Sequence, residues 1–94
     1  MPAMNTQDIL TWLTHYVSKL VQLPVEEIAP DREFTSFGID SAAAVGLAVD
    51  MGDWIGIEVD PTLVYDYPTI EAISHHVAEL VRARPAAEPA TAVR

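Results

Sequence analysis

The chain has 94 residues, half of them hydrophobic, no cysteine, and 14 acidic against 5 basic side chains, giving a formal net charge of -9. That length suits one compact domain rather than two separate cores and makes a deep enzymatic cleft unexpected. The charge argues against nucleic acid and anionic membranes as partners and favours proteins with basic docking patches. The lack of cysteine excludes disulfides, cysteine-based zinc sites and any thiolate from the polypeptide itself.

Residues 1–5 read as an N-terminal extension with no basic region followed by an apolar stretch. The longest small or apolar run, Ala42 to Val49, is too short to span a bilayer, so the expectation is a cytoplasmic monomer. Asn5 or Thr6 can cap a first helix. Its apolar positions Ile9, Leu10, Leu13, Tyr16, Val17, Leu20 and Val21 keep the three-and-four spacing of a buried stripe, and Pro24 is the expected stop. The connection from Gln22 to Asp40 is longer than loops usually run, which predicts a loop packed by its own side chains, with Val25, Ile28, Phe34 and Phe37 as the packing residues.

A second helix is predicted from Ser41 to Ile55, with Asp40 as its N-cap and Gly56 as its end. Ala44, Leu47, Ala48, Met51, Trp54 and Ile55 share one face, which is the expected buried face; Val45 and Val49 lie nearly opposite. Asp60-Pro61 pairs a cap with proline at a first helical position, which predicts a short third helix through Thr62, Leu63 and Val64. Thr69 then caps a fourth helix that buries Ile70, Ile73, Val77, Leu80 and Val81. Alternation of period two is confined to Ile55–Val59, too isolated to form a sheet. The expected fold is therefore all-α: three main helices, one short third helix and a long first loop over residues 6–82. Residues 83–94, rich in alanine and proline, read as a disordered tail or linker.

Local geometry and chemistry converge at Phe37-Gly38-Ile39-Asp40-Ser41, which puts a serine hydroxyl at the start of a helix. Unpaired amides and the helix dipole favour a phosphate there by about 0.3–1 kcal/mol at an exposed site. The competing reading is that Ser41 does no more than cap the helix, a position at which serine and aspartate are common.

The order of the helices, the long first loop and the phrase Gly38-Ile39-Asp40-Ser41 resemble the acyl carrier protein family, whose signature is Gly-x-Asp-Ser followed by an aliphatic residue. A second phrase, Leu63-Val64-Tyr65-Asp66-Tyr67-Pro68-Thr69-Ile70, is similar to a segment common in carrier domains of modular polyketide and mixed polyketide-peptide synthases. The resemblance implies that Ser41, next to the signature residue Asp40, receives 4'-phosphopantetheine from coenzyme A through a phosphopantetheinyl transferase. It also implies that the arm's thiol holds acyl groups as thioesters for acyl-loading, condensing or modifying enzymes of a synthase. The cofactor would thus bring the thiol that the polypeptide lacks, and the domain itself would catalyse nothing.

Two positions depart from the family pattern: Ala42 stands where leucine is usual, and Gly46 where glutamate is frequent. The isoleucine before Asp40 favours an acyl over a peptidyl carrier, since peptidyl carriers often have Gly-Gly-His or Gly-Gly-Asp there. A peptidyl carrier domain and an unmodified acidic interaction module remain as alternatives. Ala42, Val45 and Val49 are the candidate apolar docking residues for partners, with Asp50 and Asp53 steering at the rim.

A serine-histidine-acid triad has no support, because no nucleophile elbow surrounds Ser41 and no pattern ties His15, His75 or His76 to it. No metal site is expected. Trp12 and Trp54 read as core or core-edge aromatics.

Overall fold

The computed structural model of the chain describes residues 5–83. Four helices run in chain order as α1 (Thr6–Val21), α2 (Ser41–Ile55), α3 (Leu63–Asp66) and α4 (Ile70–Ala83), with 3-10 turns at Val25–Glu27 and Phe34–Phe37 in the long first loop. The fold is all-α with three main helices and one short one, as the spacing of apolar residues implies. The reading of the tail falls outside the described residues except at Ala83, which closes α4.

α1 begins with a reciprocal capping box: Asn5 Oδ1 accepts from the Asp8 amide at 2.8 Å, and Asp8 Oδ2 accepts from the Asn5 amide at 3.2 Å. It ends at Gln22, whose left-handed backbone (φ 60) returns its N–H to the Ser18 carbonyl, so the helix stops two residues ahead of Pro24. Ile9, Leu13 and Val17 are fully buried, and α1 packs mainly against α4. Leu20 departs from expectation at 41% exposure. It occupies the right angle on the stripe, but no neighbouring element covers it in the last turn.

The long loop is drawn into the core by Ile28 and Phe34, with Val25 and Phe37 half-buried. Its backbone is tied to the start of α4 by Phe34 N–H donating to the Pro68 carbonyl at 2.8 Å and Glu71 N–H donating to the Pro30 carbonyl at 2.9 Å. Glu33 and Thr69 form an isolated antiparallel bridge between those two bonds.

On α2, Ala44, Leu47, Ala48, Met51 and Ile55 are buried, and Gly56 ends the helix with φ 80, a backbone that side chains with a Cβ resist. Trp54 is half-buried and stacks on Trp12 of α1, ring centroids 5.0 Å apart and planes 7° from parallel. α3 begins later than the proline suggests. Asp60 Oδ1 accepts from both the Thr62 amide and hydroxyl at 2.9 Å, holding residues 60–62 as a turn, and the helix starts at Leu63 and runs on to Asp66. Thr69 Oγ1 caps α4 by accepting from the Ala72 amide at 3.0 Å. Ile70, Ile73 and Val77 are fully buried on α4, whereas Leu80 and Val81 are half-buried near its end.

The fold also buries Ser74, whose hydroxyl has no hydrogen-bond partner among the described residues. His75 is exposed and His76 stacks on Tyr67 with centroids 4.2 Å apart. No helix among the described residues is long and apolar enough to cross a membrane.

Candidate functional site

The site is built where the long loop meets α2. Gly38 takes φ 87, a left-handed conformation that lets the chain leave the Phe34–Phe37 turn, and Ile39 is buried just after it. These two neighbours fix Asp40 at the mouth of α2. Asp40 has extended backbone, and its Oδ1 accepts from the Ala43 amide at 2.9 Å, so Asp40 is the cap. Ser41 is the first residue inside the helix and is exposed. The competing sequence reading, in which Ser41 serves only as a cap, is overturned: that role belongs to its neighbour.

The amides of Ser41 and Ala42 donate to no acceptor among the described residues. Two free N–H groups at the positive end of a 15-residue helix, beside an exposed hydroxyl, suit a phosphate esterified to Ser41. The residues present therefore fit a phosphodiester-linked arm.

The candidate docking residues divide between two faces. At about 100° per residue, Ala42, Val45, Val49 and Asp53 fall within an arc about 80° wide on the outer face of α2. Val45 is 46% and Val49 54% exposed, and Ala42 and Asp53 are also exposed. Farther along α2, Val49 and Asp53 form one wall of an open groove of about 600 Å³, whose other wall is Ile57, Val59 and Pro61 from the α2–α3 loop. Asp50, grouped with Asp53 by sequence, points elsewhere: the Tyr16 hydroxyl donates to its Oδ2 at 2.6 Å, turning it toward α1. Gly46 lies on that same flank, where an added Cβ would meet the Tyr16 hydroxyl oxygen at 3.9 Å.

The Tyr16–Asp50 bond escaped the sequence reading because it joins residues 34 positions apart, with no local pattern to mark it. The alternation at Ile55–Val59 does not correspond to a strand: Ile55 closes α2, Gly56 turns left-handed, and Ile57 and Val59 follow in the loop that walls the groove.

Burial, followed by the hydrogen bond to Asp50 and its charge, pushes the Tyr16 phenol from its ordinary 10.0 up to about 12. The unfolded chain loses this proton first. The interaction therefore supports the fold fully below pH 10 and is lost as pH rises toward 12. Tyr16→Phe is expected to lessen the fall in melting temperature between those pH values, measured by thermal unfolding in an alkaline pH series. A decline identical to wild type would show that the bond does not couple to folding.

The described residues thus form a small helical bundle with an exposed serine at the start of a capped helix. Residues 11–77 match the family described as "Phosphopantetheine attachment site". The chain is 30% identical to the acyl carrier protein TtuC of Teredinibacter turnerae over 77 residues, covering 82% of this chain and 88% of that protein. It is 41% identical over 89 residues to the polyketide synthase GfsA of Streptomyces halstedii, covering 93% of this chain but 1% of that much longer protein. Among solved structures, a free-standing peptidyl carrier protein from an uncharacterized Acinetobacter baumannii secondary metabolic pathway superposes with a TM-score of 0.75 at 36% identity, covering 81% of this chain and 96% of that one. The chain belongs to the phosphopantetheine-binding carrier protein family. It is a non-catalytic carrier, and its cofactor is phosphopantetheine.

Proposed function

We propose that Ser41 is the attachment residue and that the protein is an acyl carrier of polyketide or mixed polyketide-peptide biosynthesis. The observation that carries the site is the division of labour at the start of α2: Asp40 caps the helix, which leaves the Ser41 hydroxyl exposed and unengaged. On loading, Ser41 Oγ would bond to the pantetheine-side phosphorus of coenzyme A as the pyrophosphate P–O bond breaks, the hydroxyl proton would pass to a base or solvent in the transferase site, and adenosine 3',5'-bisphosphate would be released. When bound, the arm supplies a thiol on a flexible tether, which raises the local concentration of its cargo at a docked enzyme to roughly millimolar.

The isoleucine in Gly38-Ile39-Asp40-Ser41 and the similarity to TtuC support the acyl reading. The 36% identity to a peptidyl carrier supports the second reading, a peptidyl carrier domain. Incubation with coenzyme A and a broad phosphopantetheinyl transferase, followed by intact-protein mass spectrometry, tests both against an unmodified interaction module. One added phosphopantetheine per chain is the expected result, and no mass change would overturn it. Challenge of the loaded protein with acyl-loading and with adenylating enzymes then separates acyl from peptidyl cargo.

Partner enzymes are proposed to dock on the outer face of α2, where Ala42, Val45 and Val49 provide an apolar stripe and Asp53 an acidic rim. Asp50 contributes charge from the α1 flank. Val49→Asp is expected to slow acyl transfer by about tenfold or more, because a carboxylate at 54% exposure folds readily but is poorly tolerated in an apolar contact. Asp53→Ala is expected mainly to flatten the salt dependence. Transfer kinetics across a salt series check both variants, and wild-type transfer by Val49→Asp would move recognition off this stripe.

A further inference from the structure

The first loop holds a cation that the attachment chemistry does not use. Arg32 Nε donates to Ser36 Oγ at 2.7 Å and its Nη2 donates to the Ser36 carbonyl at 2.9 Å, while Ser36 Oγ donates onward to the Glu33 carbonyl at 2.6 Å. The guanidinium also lies over the Phe37 ring, 4.5 Å from its centroid. One edge and one face of the group are thereby fixed, although the residue is exposed.

What Arg32 lacks is a carboxylate. The chain carries 14 acidic side chains, yet the ion pair among the described residues is Arg82 with Glu79, and Arg32 has none. Nη1 makes no hydrogen bond among the described residues, so the end of the guanidinium, where Nη1 and Nη2 donate in parallel, faces outward with its fork geometry intact. A long side chain ordinarily pays rotamer entropy to bind an anion; here the loop has already ordered it.

We propose that Arg32 is a docking residue that receives a carboxylate of the transferase that loads Ser41. This inference rests on the Ser41 reading. The transferase must reach the Ser41 oxygen itself, whereas enzymes acting on the arm's thiol work at its far end. Phe37 and Ser41 are four positions apart in the chain, a reach of at most about 14 Å. An interface of about 800 Å² per partner has a radius of about 16 Å and extends from Ser41 over this loop. On a chain with 14 acidic against 5 basic side chains, one pre-ordered cation also sets register, because a partner whose surface is uniformly basic is repelled there.

The experiment is steady-state loading by a broad phosphopantetheinyl transferase, with the carrier and coenzyme A varied separately, for wild type, Arg32→Lys and Arg32→Glu. Arg32→Glu is expected to raise the KM for the carrier about tenfold or more with little change in kcat and in melting temperature. Arg32→Lys should recover only part of this, since it keeps the charge and loses the fork, and reversing a transferase carboxylate to arginine should restore Arg32→Glu. A carrier KM within twofold of wild type in Arg32→Glu overturns the proposal. A rise confined to the KM for coenzyme A also overturns it, in favour of a ligand phosphate as the bound anion. If Arg32→Glu loses its fold, Arg32→Lys decides: wild-type KM overturns, a raised KM supports. Failure of the Ser41 reading is distinct, because it would appear as loading of Ser41→Ala.

Discussion

Ser41→Ala is expected to abolish loading by phosphopantetheinyl transferases while leaving the bundle folded. The hydroxyl is the atom that would bond to phosphorus, and alanine has nothing to replace it, so the expected loss is complete rather than partial. The structural cost is small for a specific reason. Asp40, not Ser41, accepts the Ala43 amide, and Ser41 is exposed within the first turn. Replacement of an exposed residue that makes no capping bond changes stability by within about 0.5 kcal/mol. Intact-protein mass spectrometry and circular dichroism of the same sample read both parts. Continued loading of the variant at the wild-type rate would move the attachment site elsewhere, and an unfolded variant would contradict the placement of the cap.

Phe34→Ala is expected to give the largest loss of stability among single changes in the first loop. Phe34 is 1% exposed and joins the core formed by all the main helices, and its own N–H is bonded to the Pro68 carbonyl. Truncating a buried phenylalanine costs about 3–5 kcal/mol through lost burial and the cavity left behind. Domains of this size have only about 5–15 kcal/mol in total. A fall of at least about 12 °C in melting temperature is expected from thermal unfolding. Loading should slow as well, because Gly38, Ile39 and Asp40 follow directly on the turn that Phe34 anchors. A loss below about 1 kcal/mol would show that the loop is held by its two backbone bonds to the start of α4 instead.

The positions of the helices were legible in the sequence because their signals are local. Asn5 with Asp8, Asp40, Gly56 and Thr69 mark boundaries through groups a few residues away, and the apolar spacing within α2 and α4 names the buried face of each. The same locality made Ser41 a candidate, since a hydroxyl at a helix start can be read from the string Gly38-Ile39-Asp40-Ser41 alone.

Tertiary structure decided what depends on neighbours distant in sequence. It left Leu20 exposed in the last turn of α1 although Val21 beside it packs on the core, and it left the Ser74 hydroxyl buried with no partner among the described residues. It separated Asp50 from Asp53 by placing Tyr16 opposite one and the α2–α3 loop, across an open groove, opposite the other. It also gave Arg32 its fixed orientation, through a turn whose shape depends on Phe34 reaching the core and on Pro68 accepting a bond across the fold. A sequence specifies which side chains are apolar and where helices capped by a side chain begin; which polar groups face one another is settled only when helices pack.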